Sequence, residues 1–135
     1  MSSDDRKAVA AAYERYLAAF AADDLAALDA MISYPFAYVG ADRVLLLDAL
    51  PGRPADLRRA GGWDATVDPR YEVVAAAAGK AHVVLYGAER VRADGSLVET
   101  VSAFYAFRYT PDRGWLLYAI SDVVTPVSRA DGLPG

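Results

Sequence analysis

The stretch His82–Thr110, HVVLYGAERVRADGSLVETVSAFYAFRYT, decides how this chain folds. Two runs rich in β-branched and aromatic residues flank Asp94-Gly95, the strongest short-range hairpin signal. The pattern continues on both sides. Tyr71–Ala78 precedes it across Gly79-Lys80, and Trp115–Val124 follows it across Pro111-Asp112-Arg113-Gly114. Four long antiparallel strands in succession are therefore expected.

The turns set the register, and the register sets which side chains share a face. A two-residue Asp94-Gly95 loop, with positive φ at both positions, pairs Arg90 with Glu99, Tyr86 with Ala103 and Val84 with Tyr105. A three-residue loop would place Glu89 opposite Glu99, a like-charge pair that costs energy, so the two-residue loop is preferred. A four-residue Pro111–Gly114 loop pairs Phe107 with Tyr118, Tyr105 with Ile120 and Ala103 with Asp122. A Gly79-Lys80 turn pairs Ala77 with His82 and Val73 with Tyr86. One face then carries three rows: Val73, Tyr86, Ala103, Asp122; Ala75, Val84, Tyr105, Ile120; Ala77, His82, Phe107, Tyr118. Aromatic hydroxyls, small alanines and one carboxylate suit the wall of a cavity. The other face carries Leu85, Gly87, Glu89, Thr100, Ser102, Phe104 and Arg108, and suits solvent or a dimer partner.

Upstream, the chain reads helical. Val9, Ala12, Tyr13, Tyr16, Leu17 and Phe20 recur at three- and four-residue spacing and share one helix face. Asp23 or Asp24 can cap a second short helix in which Leu25, Leu28, Met31 and Ile32 share a face, with Pro35 ending that pattern. Phe36–Val39 and Arg43–Leu47 form a short hairpin around Gly40-Ala41-Asp42. Pro54 opens a third helix that Gly61-Gly62 closes, delivering Trp63.

Composition narrows the function. At 135 residues and 55% hydrophobic content, the chain builds one core. Residues 1–127 are expected as a single domain and 128–135 as a loose tail. No run approaches the roughly 18 apolar residues that a membrane span needs, and charges break up the alanine-rich first helix, so a cytoplasmic location is the default expectation. With no cysteine and a single histidine, His82, thiolate chemistry and multi-histidine metal sites are excluded. No metal and no cofactor are expected. The net charge of −4, with no lysine/arginine cluster, argues against nucleic acid as a partner.

The order of helices, short hairpin, helix and four long strands resembles the nuclear-transport-factor-2-like superfamily over nearly the whole chain. That superfamily includes ketosteroid isomerase, SnoaL-type polyketide cyclases, scytalone dehydratase and limonene epoxide hydrolase. The resemblance implies an α+β cone of two to three helices packed on a strongly curved antiparallel sheet, a cystatin-like roll enclosing a pocket. Tyr16-Leu-Ala-Ala-Phe-Ala-Ala-Asp-Asp24-Leu25 is similar to the passage from helix 1 to helix 2 of ketosteroid isomerase, which implies a hydrogen-bond donor role for Tyr16. Tyr105-Ala-Phe-Arg-Tyr109 is similar to the isomerase strand carrying the second oxyanion donor, with Tyr105 in the place of its acid. The isomerase's general base would fall around Val39 to Asp42, where this chain has no matching aspartate in the strand.

The candidate catalytic residues are Tyr16, Tyr105 and Asp122. The expected pocket residues are Tyr16, Tyr38, Trp63, Val84, Tyr86, Ala103, Tyr105, Tyr118 and Asp122. Beside a protein–protein adaptor using the Phe104/Leu85 face, which a homodimer through that face would preclude, two functions stay open. One is a pocket for a small apolar or aromatic ligand, with cofactor-free lyase, isomerase or cyclase chemistry. The other is a non-catalytic dimerising or ligand-sensing module whose pocket is filled by its own aromatics. A homodimer through the outer sheet face is expected in either case.

Overall fold

A computed structural model describes residues 3–127; the expected tail, 128–135, lies outside the described residues. Helix α1 (Ser3–Ala21) carries Asp4 and Asp5 in its first turn, where the helix dipole favours negative charge. Its apolar stripe buries Val9, Ala12 and Tyr13 against the sheet. Helix α2 (Leu25–Ala30) begins at Asp24, whose carboxylate accepts from the Ala27 N–H at 3.1 Å.

The helical pattern that Pro35 was expected to close stops earlier, at Ala30. Ile32 instead opens strand β1 (Ile32–Val39), which contains Pro35 behind a cis Tyr34–Pro35 peptide bond. Strand β2 (Val44–Leu47), helix α3 (Pro54–Gly61) and strands β3 (Ala65–Ala77), β4 (Lys80–Val91), β5 (Leu97–Thr110) and β6 (Gly114–Pro126) complete the chain order. Three helices thus pack on one curved, unclosed, six-stranded sheet in the order β2-β1-β6-β5-β4-β3. The α+β expectation holds, with one amendment. β1 pairs with β6 in parallel, while the other four pairings are antiparallel. Among the described residues no helix is long and apolar enough to cross a membrane.

Register is where the structure departs most from the sequence reading. Arg90 does pair with Glu99, but the turn is a longer one: Gly95 N–H donates to Arg92 O, Arg92 N–H donates to Ser96 O, and only Gly95 takes positive φ, at 87°. A one-residue register shift between Arg90 and Val91 then restores the Arg90–Glu99 pair. A second shift, between Leu85 and Ala88, sets Tyr86 and Gly87 together opposite Ser102. That bulge reverses the faces of everything beyond it. Leu85, Val83 and Ala81 point into the core opposite Ala103, Tyr105 and Phe107, whereas Val84, Tyr86 and His82 go to the outer face.

Two further turns differ. The β3–β4 turn is Ala78-Gly79, both with positive φ, so Ala77 pairs with Lys80 and Ala75 with His82. Across β5–β6, Tyr105–Ile120 and Ala103–Asp122 pair as expected, but a shift beyond Ala106 pairs Phe107 with Leu117 instead of Tyr118. The inner rows therefore read Val73, Val83, Tyr105, Ile120 and, one row along, Tyr71, Leu85, Ala103, Asp122.

Candidate functional site

The concave inner face, α1 and α3 leave a cavity of about 660 Å³ between them. Its closed end is apolar, formed by the buried Leu28, Ile32, Phe36 and Leu117. Tyr16 and Phe20 of α1 form one wall; Tyr38, Tyr105, Ile120 and Asp122 of the sheet form the opposite one. Ala88, Val101 and Arg90 carry the wall toward Trp63, and the mouth is framed by the 50–54 loop and α3, where Leu57 stands 58% exposed.

Of the residues expected from the sequence, Tyr16, Tyr38, Trp63, Tyr105 and Asp122 are brought together around this cavity. Four are not. Val84 and Tyr86 lie on the outer face because of the Tyr86-Gly87 bulge, and the Tyr86 hydroxyl donates to Glu72 Oε2 at 2.5 Å. Tyr118 lies under the Arg108 guanidinium, whose Cζ sits 4.0 Å from the ring centroid, and away from the cavity. Ala103 is buried in the row between Leu85 and Asp122 but does not line the cavity. Leu85, assigned to the outer face by the sequence reading, lines the cavity instead.

Tyr13, Tyr16, Tyr71 and Tyr105 form one cluster. The Tyr105 ring meets Tyr13 edge-on at 4.7 Å and Tyr16 at 5.7 Å, and Tyr13 meets Tyr71 at 4.8 Å. Such edge-to-face contacts add to the burial of the rings. The Tyr13 hydroxyl is buried beside the Tyr105 hydroxyl, close enough to interact but short of good hydrogen-bond geometry, with the Tyr16 and Tyr71 phenols also near it. Burial is the main cause that pushes the Tyr16 and Tyr105 hydroxyls far above the ordinary phenol range, so both remain protonated donors at any physiological pH.

Asp122 is half-buried, and the Tyr38 hydroxyl donates to its Oδ1 at 2.5 Å. Burial first, and this bond second, push Tyr38 up to about 12. The Asp122 charge raises Tyr16, Tyr38 and Tyr105 alike, and the Arg90 charge lowers all three by less. Arg90 itself is engaged: Nη1 donates to Glu99 Oε2 at 2.7 Å, and Cζ lies 4.5 Å over the Trp63 ring. Its Nε is buried without a partner. Among the described residues no group of three or more histidine, aspartate or glutamate side chains could hold a metal ion.

The mouth is held by one aspartate. Asp23 accepts from Arg53 Nε at 3.1 Å, from Arg53 Nη2 at 2.7 Å and from the Ala55 N–H at 3.0 Å, tying the start of α3 to the α1–α2 junction. The Ala55 N–H first, and then Arg53, hold the Asp23 carboxyl below its ordinary range. At the other end of α3, a Cβ on Gly61 would fall 2.6 Å from Trp63 Nε1, so only glycine lets the indole fold back against the helix end. The sequence reading anticipated the Arg90–Glu99 pair and the bounds of α3, but not that Arg90 and Leu85 line the cavity or that α3 frames its mouth. A glycine inside a strand marks a bulge, and Gly87 was the signal that could have corrected the faces.

No family model matches this chain, and no curated protein matches it. Solved structures do. A nuclear-transport-factor-2-like protein from Cytophaga hutchinsonii superposes with a TM-score of 0.62 at 15% identity, covering 94% of this chain and all of its own. A cystatin-like fold protein from Burkholderia xenovorans gives 0.59 at 15% identity, covering 93% and 95%. A ketosteroid isomerase-like protein from Erwinia carotovora gives 0.57 at 18% identity, covering 91% and 98%. The shared helix–sheet order, the unclosed curved sheet and these superpositions agree: the chain has the nuclear-transport-factor-2-like fold.

Proposed function

We propose that this chain binds a small, largely apolar, ring-containing ligand in the cavity between α1, α3 and the sheet, and acts on it without a cofactor by acid–base chemistry of the lyase, isomerase or cyclase type. The observation that carries the reading is a single half-buried carboxylate, Asp122, set in an open apolar volume of about 660 Å³ beside three tyrosine phenols. A volume of this size accommodates a drug-sized molecule. Tyr16 and Tyr105, as permanently protonated donors, would receive a ligand oxygen. Asp122, held by Tyr38, would take or give a proton. The first sheet strand offers no base of its own: Tyr38 occupies its cavity-facing position, and Asp42 lies exposed beyond its end.

A ligand screen by thermal shift tests this, with Asp122→Asn and Tyr16→Phe as controls. Cyclic ketones and phenols should raise the melting temperature. Turnover of any bound ketone should vanish in Asp122→Asn while binding persists. Binding without turnover would leave a ligand-sensing module, and no binding by any ring compound would remove the reading.

The outer face favours a second, non-catalytic component. Tyr86, Phe104 and Val123, on three adjacent strands, are 55%, 38% and 65% exposed and flank a shallow apolar groove. A second copy of this chain would cover them, and sedimentation of the protein against Phe104→Glu reads whether it does.

A further inference from the structure

The ionisable groups around the cavity do not cancel evenly. At the mouth, Arg53 and Arg58 are balanced by Asp56 and Asp64. Arg53 is also bound to Asp23, and Asp56 lies 3.3 Å from Arg59. Deeper in, the two charged wall residues are Arg90 and Asp122, and they differ in one respect. Arg90 carries its counter-ion with it, Glu99 Oε2 at 2.7 Å, and both side chains are largely withdrawn from solvent, at 19% and 15% exposure. Among the described residues the hydrogen-bond partner of Asp122 is neutral, the Tyr38 hydroxyl. The cavity interior therefore holds one uncompensated negative charge against a guanidinium that is already neutralised.

Three phenols lie close enough to the carboxylate to feel this imbalance. At Tyr16, Tyr38 and Tyr105 alike, the Asp122 carboxylate outweighs Arg90. These hydroxyls belong to α1, β1 and β5, so they sample the cavity from three sides. In a partly desolvated, apolar space, like charges a few ångströms apart repel far more strongly than in water, and a buried anion without a cationic partner is costly.

We infer that the cavity is a charge filter, with Asp122 and the self-neutralised Arg90–Glu99 pair admitting ligands whose buried end is uncharged and refusing organic anions such as carboxylates. The inference rests on the cavity being the binding site and names the chemical class it takes. It also assigns Glu99 a role in specificity, that of keeping Arg90 from serving as an anion receptor. The positive charge that superficially suits a carboxylate ligand is already used within the wall.

The test compares two probes of nearly equal shape, 2-acetylnaphthalene and 2-naphthoate, by ligand-observed NMR titration at neutral pH. The neutral ketone should bind at least about tenfold more tightly than the carboxylate. Asp122→Asn should bring the two affinities close together by strengthening naphthoate. Glu99→Gln should strengthen naphthoate independently, by releasing Arg90. Naphthoate binding the unmodified protein as well as the ketone, or a preference unchanged in Asp122→Asn, overturns the charge filter while leaving the cavity as a binding site. If neither probe binds the folded protein, the binding-site reading falls and the filter falls with it. Because Asp122→Asn is nearly isosteric and sits at a half-buried position, it keeps the test decisive even if Glu99→Gln fails to fold.

Discussion

The Tyr38 hydroxyl donates to Asp122 Oδ1 over 2.5 Å, joining residues 84 positions apart across the parallel β1–β6 junction. The bond exists because β1 enters beside β6, where Tyr38 pairs with Ile120 and its side chain reaches one row along to Asp122. The carboxylate is thereby fixed in the cavity wall.

Removing that hydroxyl should cost stability without changing the fold. Tyr38→Phe and Asp122→Asn should each destabilise by about 1 kcal/mol, and the double variant should cost less than their sum, since the two share one charge-assisted bond. Urea denaturation of the four-member cycle reads the coupling. Strict additivity would show that the bond contributes nothing.

High pH should unfold this protein through its phenols. Tyr34, Tyr38 and Tyr71 are pushed up to about 12, each by burial first and by a hydrogen bond to a carboxylate second, and Tyr13, Tyr16 and Tyr105 lie higher still. A group whose acidity is weakened by folding stabilises the protein fully below its unfolded value, near pH 10, and loses that contribution as pH rises toward the folded value. Stability should therefore be flat to about pH 9.5 and fall steeply above it. Tyrosine ionisation followed at 295 nm should appear as a cooperative step coincident with loss of circular dichroism. Gradual ionisation with the fold retained would contradict the burial of the cluster.

The hold of Asp23 on α3 should be local. Asp23→Ala removes the three hydrogen bonds that this carboxylate makes to the start of α3, and should loosen that helix start. Amide exchange over residues 53–61 should speed up several-fold, while the strands β4 and β5 stay protected. Because the folded carboxyl is held below its ordinary range, its contribution is present above the unfolded value and fades as pH falls through the folded one. Acid should therefore reproduce the local effect of Asp23→Ala before it unfolds the sheet.

The bulge at Tyr86-Gly87 makes opposite predictions for two neighbouring residues. Leu85 is 4% exposed and points inward, so Leu85→Asp should cost more than about 3 kcal/mol or prevent folding. Val84 faces the outer groove, and Val84→Asp should stay within about 1 kcal/mol of the parent. Thermal melts of the two variants decide between this register and the unbulged one, which exchanges the outcomes.

Much of this architecture is legible in local sequence. The α1 stripe of Val9, Ala12 and Tyr13, the Pro54 start and Gly61-Gly62 stop of α3, and the four aromatic-rich runs each follow from the chemistry of neighbouring residues. The pairs nearest in space to a correctly read pattern also held, among them Arg90–Glu99, Tyr105–Ile120 and Ala103–Asp122. Turn chemistry was less legible. Asp94-Gly95 reads as a two-residue loop, but the turn places only Gly95 in the left-handed region.

The sequence by itself determined the element order, the α+β class and the inward placement of Tyr16, Tyr105 and Asp122, because periodicity and glycine–proline punctuation act over a few residues. Tertiary structure decided the faces beyond the bulges, of which Gly87 was the one local sign, together with the parallel seat of β1 beside β6 and the framing of the cavity mouth through the Asp23–Arg53 contact. The reason is geometric. Curving a sheet around α1 demands extra residues where the strands bend, and each one reverses every side chain that follows. Where those residues fall is settled by packing between segments far apart in the chain, as Tyr38 and Asp122 are.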